Sequence, residues 1–306
     1  MSPLFFGLGY AAVFLGILCL LLWLRARARQ DRAPFPENTR LLRGPGESLR
    51  RRIDELDDKI DNAVLTGLLL PLLVLGAGFF LAGWIKGGAG AALAAGGTTI
   101  FAVLGVRAAR QVVGWIDRRR DTRLGLFGER IVAEHLETLK ATGHRVFHDL
   151  PAGDAPATPA GASAPKPFNI DHVVVGPAGV FAIETKTRRK GRARVGFMEH
   201  EIIYDGRALA YPWGEDRHGL EQARLQADWL GEFLRRELGR SVPVHALLVF
   251  PGWSIIRKDG GASAAVNVLA PRELPAVIES GSPALDATTL DLIARRLEAR
   301  GRDVEL

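Results

Sequence analysis

The chain has 306 residues, 47% hydrophobic and 24% charged, a combination typical of membrane segments joined to a soluble domain. Its single cysteine, Cys19, excludes an internal disulfide and a zinc site built on several cysteines. The net charge of +6 belongs to residues 1–123, where 17 Lys and Arg face 10 Asp and Glu, so it does not by itself indicate nucleic-acid binding by residues 124–306.

Residues 3–24 form an uncharged stretch of 22 residues. A bilayer core of about 30 Å requires roughly 20 helical residues, so a first transmembrane helix is predicted over residues 1–24. The alternative is a cleaved signal peptide, since "ARA" at 26–28 resembles a cleavage site. No Lys or Arg precedes the run and "RARAR" follows it, which favours an uncleaved span.

The next segment, residues 25–62, is basic and contains an amphipathic pattern. Four apolar residues recur with a 4-3-4 spacing: Leu49, Ile53, Leu56 and Ile60. The spacing predicts a short helix within 47–62. Two alternatives stay open: a coiled-coil seam joining two copies of the chain, or packing on the chain's own soluble domain.

Residues 63–106 form a second apolar region, interrupted only by Lys86, and predict a hairpin of two transmembrane helices. Small residues four apart in its second half, Gly88, Ala92 and Gly96, predict close contact with another helix. The alternative is that residues 87–106 are a flexible segment outside the membrane.

Arginine distribution favours three spans. Both the 25–62 segment and the juxtamembrane linker 107–123 are rich in arginine, so both are expected in the cytoplasm. The chain between them then crosses the membrane an even number of times. The prediction is an integral protein of the bacterial inner-membrane type, with its N-terminus outside and its soluble domain in the cytoplasm.

From residue 124 onward the pattern predicts a mixed α/β sheet flanked by helices. In chain order it gives a helix at 125–142, a strand at 144–150, two strands within 169–187 that meet at Gly176-Pro177, a polar hairpin of "RARVGF" and "EIIYDGR", a helix at 216–239, strands at 242–250 and 265–270, and a helix at 286–300. The Pro/Ala/Gly-rich insert at 151–167 is predicted to be a flexible loop.

Charged residues interrupt the two strands of "NIDHVVVGPAGVFAIETKT", residues 169–187. Alternation along a strand places Glu184 and Lys186 on one face, with Asp171 on the adjoining strand. Carboxylates in this arrangement suit Mg²⁺, or Mn²⁺, beside a phosphate, and the lysine can orient an attacking water. The alternative is a structural or exposed salt bridge. His172 alternates to the other face and is expected to be a structural hydrogen-bonding residue.

Four motifs carry a family resemblance: "GERIVAEHL", the stretch 169–187, "GLEQARLQADWL" and "VPVHALLVFP". They resemble the nuclease-related domain (NERD), a branch of the PD-(D/E)XK phosphodiesterase superfamily. The resemblance covers residues 124–255 and leaves 256–306 as a C-terminal extension. It implies a restriction-endonuclease-like core and a Mg²⁺-dependent nuclease, a hydrolase of DNA processing.

The resemblance also implies the site residues. The expected catalytic residues are Glu129, Asp171, Glu184, Lys186 and Gln222. The expected metal ligands are Asp171, Glu184 and the carbonyl of Thr185.

The loop after the site is strongly basic and suggests a partner. Its candidate phosphate contacts are Arg188, Arg189, Lys190 and Arg192, the alternative being a solvated loop. Nearby Trp213 is expected to be a core or lid residue, the alternative being a platform on which a base stacks. The expected partners are nucleic acid, with DNA favoured, the lipid bilayer, and a second copy of the chain through 47–62 or the transmembrane helices. A non-catalytic nucleic-acid-binding or signalling module on the same fold is the alternative function.

Overall fold

The computed structural model describes residues 40–85, 87–153, 167–196, 198–258 and 264–304, together with isolated positions between 9 and 23. Most of the predicted span at 3–24 and residues 154–166 of the insert lie outside the described residues. The chain divides into two compact units. The helical unit comprises Met1–Glu37 and Arg52–Asp121, and the α/β unit comprises Asn38–Arg51 and Thr122–Leu306.

Eleven strands and five α-helices lie in the described residues. They are β1 Leu41–Leu42, α1 Glu47–Ala82, α2 Gly88–Glu137, β2 Arg145–Ala152, β3 Phe168–Gly176, β4 Gly179–Thr185, β5 Glu201–Tyr204, β6 Leu209–Tyr211, β7 Gly214–Asp216, α3 His218–Leu238, β8 Val244–Val249, β9 Ser254–Arg257, β10 Val266–Leu269, α4 Leu274–Glu279, α5 Ala287–Gly301 and β11 Arg302–Val304.

In the helical unit, α1 and α2 approach each other through glycines. A Cβ added to Gly78 would lie 3.3 Å from the Cα of Gly97, so these positions allow the two backbones to come close. The predicted stripe at Gly88 and Gly96 does not make this contact: within the described part of the chain, a Cβ at either position meets nothing within 4 Å. Within the chain the contact instead uses Gly97, and a contact of Gly88, Ala92 and Gly96 with another helix stays a prediction.

One helix of the described residues, Gly88–Thr142, is long and apolar enough to cross a membrane, judged by length and composition alone. It comprises α2 and the 3₁₀ turn that follows. The end of α1, Pro71–Ala82, is a shorter apolar stretch. The predicted break in 63–106 is present between the end of α1 and the start of α2. Because one helix of the described residues is long and apolar enough to cross a membrane, the three predicted spans are not shown.

The α/β unit is built on a five-stranded sheet in the order β10-β8-β4-β3-β2. β2, β3 and β4 pair antiparallel, whereas β4, β8 and β10 pair parallel. The tight connection from β3 to β4 uses Gly179, whose φ of +137° a side chain would rarely adopt. The mixed sheet predicted from the sequence is confirmed.

Two hydrophobic clusters cover the two faces of this sheet. On one face, Val173 and Ala182 pack with α3 and α5. On the other, Val174 and Phe181 pack with the end of α2 and with α4. The alternation of neighbouring residues between faces is the period of a strand buried on both sides. Helices therefore flank the sheet on both sides, as predicted.

A second sheet has the order β7-β6-β5-β9. The predicted hairpin was wrong, because residues 192–196 of "RARVGF" form no strand. Instead "EIIY" forms β5, which pairs antiparallel with β6 and parallel with β9. Strands of three residues such as β6 and β7 are too short to show a period in the sequence.

Both ends of the α/β unit are tied into it. β1 pairs antiparallel with β11, and Nε of Arg43 donates to Asp303 at 2.6 Å. Within 256–306, β10 completes the central sheet and α5 covers one face. The interval 25–62, expected to be one segment, is divided, since 38–51 belongs to the α/β unit.

Candidate active site

The carboxyl end of β4 brings Glu184 and Lys186 together on the face that packs against α3. The Lys186 ammonium lies 2.6 Å from Oε1 of Glu184, whose residue is 2% exposed. On the adjoining strand, Oδ2 of Asp171 accepts a hydrogen bond from the backbone N–H of Thr185 at 2.7 Å. The structure therefore brings these three predicted site residues together in the predicted manner.

Helix α3 contributes two glutamines, one turn apart, to the same cluster. Nζ of Lys186 donates to Oε1 of Gln222 at 2.7 Å. Nε2 of Gln226 lies 2.5 Å from Oε2 of Glu184 and 3.2 Å from the carbonyl of Asn169. Sequence reasoning found Gln222 but missed Gln226. The sequence did carry a signal for Gln226: it follows Gln222 by four residues, and residues four apart share a helix face.

Glu129 projects from α2 and is 6% exposed. Its Oε2 is buried and has no hydrogen-bond partner among the described residues. Burial, then the negative charges of Asp149 and Glu184, raise the pKa of Glu129 to about 8. Glu129 therefore holds a proton near neutral pH.

Asp171 is electrostatically coupled to the other acids. Burial raises the pKa of Asp171 well above its usual value, and the charges of Glu184 and Glu129 raise it further. The hydrogen bond from Thr185 and the charge of Lys186 act in the opposite direction. Three carboxyl groups thus compete for one lysine in a buried site, an arrangement that a cation would relieve.

The fit of a divalent cation rests on these same atoms. No group of three or more His, Cys, Asp and Glu side chains in the described ranges has the arrangement that would hold a metal. Magnesium, however, keeps several waters and often binds through only one or two carboxylates. Asp171 and Glu184 supply two, and Oε2 of Glu129, whose charge acts on Asp171, is buried and has no hydrogen-bond partner in the described residues. The donor set is thus all oxygen, as Mg²⁺ and Mn²⁺ prefer.

The basic loop, residues 188–194, follows directly from this cluster. Arg188 pairs with Asp216 at 3.0 Å, and the Lys190 ammonium lies 5.9 Å from the ring centre of Trp253. Arg189 and Arg192 are exposed. The loop therefore lies over aromatic residues, and its four predicted phosphate contacts remain predictions.

His172 lies on the opposite face of β3 from Asp171. Its Nδ1 is 2.8 Å from Nδ1 of His148, and the residue is fully buried. Burial lowers the pKa of both imidazoles. The hydrogen-bonding role expected for His172 agrees with this contact.

A further buried acid, Asp149 of β2, was missed by sequence reasoning. Its carboxylate accepts hydrogen bonds from the N–H and the hydroxyl of Ser48, at 2.7 and 2.6 Å, and from Asn169 at 3.0 Å. Ser48 lies in the first turn of α1, where backbone N–H groups have no partner within the helix. Asp149 therefore caps α1 from a distant strand.

The sheet is mixed and flanked by helices, and the acids and the lysine of the site meet where two of its strands lie side by side. This arrangement fits a nuclease fold. Residues 124–251 match the family model of the nuclease-related domain, NERD. The chain thus carries a nuclease-related domain, as the motifs indicated. Comparison with curated proteins and with solved structures gives no match.

Proposed function

We propose that the α/β unit is a phosphodiesterase that cleaves nucleic acid with the help of Mg²⁺ or Mn²⁺. The observation that carries the proposal is the meeting of Glu184, Lys186 and Gln222 beside Asp171. A buried acid is costly for folding unless it is paired or binds a ligand, and the pair of Glu184 with Lys186 leaves the charges of Asp171 and Glu129 for a cation to offset. The match to a nuclease-related domain supports the same activity.

Asp171, Glu184 and the carbonyl of Thr185 would hold the cation. When bound, the cation supplies charge stabilisation to the phosphate that is attacked. Lys186, held by Gln222 at 2.7 Å, would orient the attacking water and offset phosphate charge. Glu129 would position water or substrate, and with a pKa of about 8 its protonated carboxyl can donate a hydrogen bond to a phosphate oxygen.

We further propose that this activity is tethered to a membrane at its cytoplasmic face. The apolar length of Gly88–Thr142 supports one span, and the arginines of 25–62 and 107–123 support a cytoplasmic α/β unit. The spans at 3–24 and 63–85, and a homodimer through 47–62 or the membrane helices, belong to the same proposal.

One observation favours the alternative, a nucleic-acid-binding or signalling module without turnover. The ammonium of Lys186 already occupies Oε1 of Glu184 at 2.6 Å, which is where a cation would bind. In that case the acid and the lysine form a structural ion pair.

Cleavage by the full chain in detergent distinguishes the two functions. Linear, circular and single-stranded DNA and an RNA of the same sequence are incubated with Mg²⁺, with Mn²⁺ and with EDTA. Metal-dependent cleavage that is absent in Glu184→Gln supports the phosphodiesterase. Binding of any of these nucleic acids without cleavage in either metal supports the module instead.

A further inference from the structure

Four aromatic residues form a cluster beside the candidate site. They are Tyr211, Trp213, Phe250 and Trp253. Tyr211 and Trp253 are buried, whereas Trp213 is 40% exposed. The Trp213 ring is stacked on Tyr211, with centroids 5.5 Å apart and planes 15° apart. The cluster therefore presents one supported indole ring to the surface.

The basic loop lies against this aromatic cluster. A Cβ added to Gly191 would lie 3.2 Å from a ring carbon of Trp213, so the loop backbone passes close to the exposed indole. The guanidinium of Arg188 lies 5.9 Å from the ring centre of Tyr211. The backbone N–H of Arg194 donates to the carbonyl of Pro212 at 3.0 Å, which fixes the far end of the loop. Positive side chains thus border the exposed ring.

The aromatic cluster is close to the candidate site along the chain. Lys186 contacts Glu184, and Lys190, four residues later, lies over Trp253. Four extended residues span at most about 14 Å, which limits the distance between the two lysine Cα atoms. A strand of nucleic acid held at one place therefore reaches the other.

We propose that Trp213 and the basic loop bind an unpaired base and its flanking phosphates, so that the substrate contains single-stranded nucleic acid. The inference rests on the proposed function. The part of the Trp213 ring that Tyr211 and Gly191 leave exposed can stack on any base, and cations beside it attract the sugar-phosphate backbone. A base inside a duplex is covered by its neighbours and cannot stack on Trp213. The aromatic cluster therefore selects an unpaired segment rather than a sequence.

The test measures binding by the full chain in detergent, with EDTA present so that nothing is cleaved. Fluorescence anisotropy follows a labelled oligothymidylate and a blunt duplex of similar length. Trp213→Ala is expected to raise the Kd for the oligothymidylate at least about fivefold while changing that for the duplex little. Trp213→Phe, which keeps a ring, should retain most of the affinity. Lys190→Ala should weaken both ligands, since it removes a phosphate contact.

Leu225→Ala, at a residue that is 61% exposed on α3, is the matched control and should bind as the parent does. Equal loss for both ligands in Trp213→Ala, or no loss for the oligothymidylate, overturns the inference. So does a Trp213→Phe variant that binds no better than Trp213→Ala. A chain that binds in this selective way but never cleaves with metal keeps the binding site for an unpaired base and overturns the proposed phosphodiesterase instead.

Discussion

The side-chain amide nitrogen of Gln226 lies 2.5 Å from Oε2 of Glu184, while the amide oxygen of Gln226 is buried and has no hydrogen-bond partner in the described residues. The contact fixes the Glu184 carboxylate from one side, and Lys186 fixes it from the other at 2.6 Å. If Glu184 holds a cation as proposed, a side chain that orients it in this way is part of the site even when it does not touch the substrate.

Gln226→Ala is therefore expected to impair metal use. Loss of such a supporting contact typically costs about 10–100-fold in metal affinity or activity. The Mg²⁺ concentration for half-maximal cleavage should rise in that range. Unfolding free energy should fall by about 1–3 kcal/mol, because Oε2 of Glu184 loses a buried donor. Leu225→Ala, one residue away on the exposed side, should change neither quantity. An unchanged Mg²⁺ titration in Gln226→Ala would contradict the positioning role.

The raised pKa of Glu129 predicts a pH dependence of stability. Burial raises this pKa from 4.5 to about 8, so between these values the folded chain binds a proton that the unfolded chain has released. The resulting loss of unfolding free energy is absent below pH 4.5, the pKa of Glu129 in the unfolded chain. It is complete above about pH 8, the pKa in the folded chain. Stability from this group therefore falls as pH rises from about 4.5 to 8.

Glu129→Gln removes the charge and should remove the penalty. Its Tm relative to the parent should increase between pH 5 and pH 8.5, by about 2–4 °C for each kcal/mol regained. Glu134→Gln, at an exposed position on the same helix, is the control and should show a constant difference. A Glu129→Gln difference that is the same at both pH values would mean that Glu129 is ionised in the folded chain at neutral pH.

The local features of the site could be predicted from the sequence. The alternation of 180–187 placed Glu184 and Lys186 on one face, and the short turn to β3 placed Asp171 beside them; both are confirmed. These inferences need only the period of a strand and a tight connection. The helix predicted at 216–239 is present as α3, and it carries Gln222 to the lysine.

The features that depend on distant parts of the chain could not be predicted. The bond from Ser48 to Asp149 joins residues 101 positions apart, and the pairing of β1 with β11 joins the start of the α/β unit to its end. Neither has a sequence period, since β1 is two residues long. The second sheet was not predicted for the same reason. Its strands β6 and β7 are short, and β9 pairs with β5, which lies far away along the chain.

Asp149 should be among the most important residues for the stability of the α/β unit. Its carboxylate is hydrogen-bonded by Ser48 and Asn169 and pairs with Arg43 at 3.2 Å, with little exposure on either side. Asp149→Ala leaves Arg43 without this partner and α1 without its cap, so unfolding free energy should fall by about 3–5 kcal/mol. Denaturant titration measures it, with Asp291→Ala, an exposed acid of α5, as the control. A loss under about 1 kcal/mol would show that the cap contributes little.

The membrane proposal predicts the side on which each segment lies. Reporters fused at residue 45 and at residue 125 should both report the cytoplasm, because arginine-rich flanks are retained there. A reporter fused at Gly88, at the start of α2, should report the outside. A cytoplasmic signal at Gly88 would contradict a hairpin that crosses the membrane twice.

The decisive variants are those at the acids and the lysine of the site. If Asp171 and Glu184 serve a cation and a phosphate, they repel each other in the protein alone. Asp171→Asn or Glu184→Gln should then abolish metal-dependent cleavage while Tm stays unchanged or rises, since functional sites often trade stability for chemistry. Lys186→Ala should abolish cleavage as well but leave metal binding in place, because the lysine is not a ligand.

A structural ion pair would give the opposite pattern. Glu184 is buried and Lys186 is 20% exposed at its side chain, so removing the acid would strand the ammonium and lower unfolding free energy by about 3–5 kcal/mol. The measurement is therefore paired: Tm and cleavage rate for Asp171→Asn, Glu184→Gln and Lys186→Ala, with calorimetric Mn²⁺ binding for the last. A clear drop in Tm with cleavage intact would show that Glu184 and Lys186 form a structural salt bridge and do not take part in catalysis. Lost cleavage with an undiminished Tm assigns the three residues to chemistry.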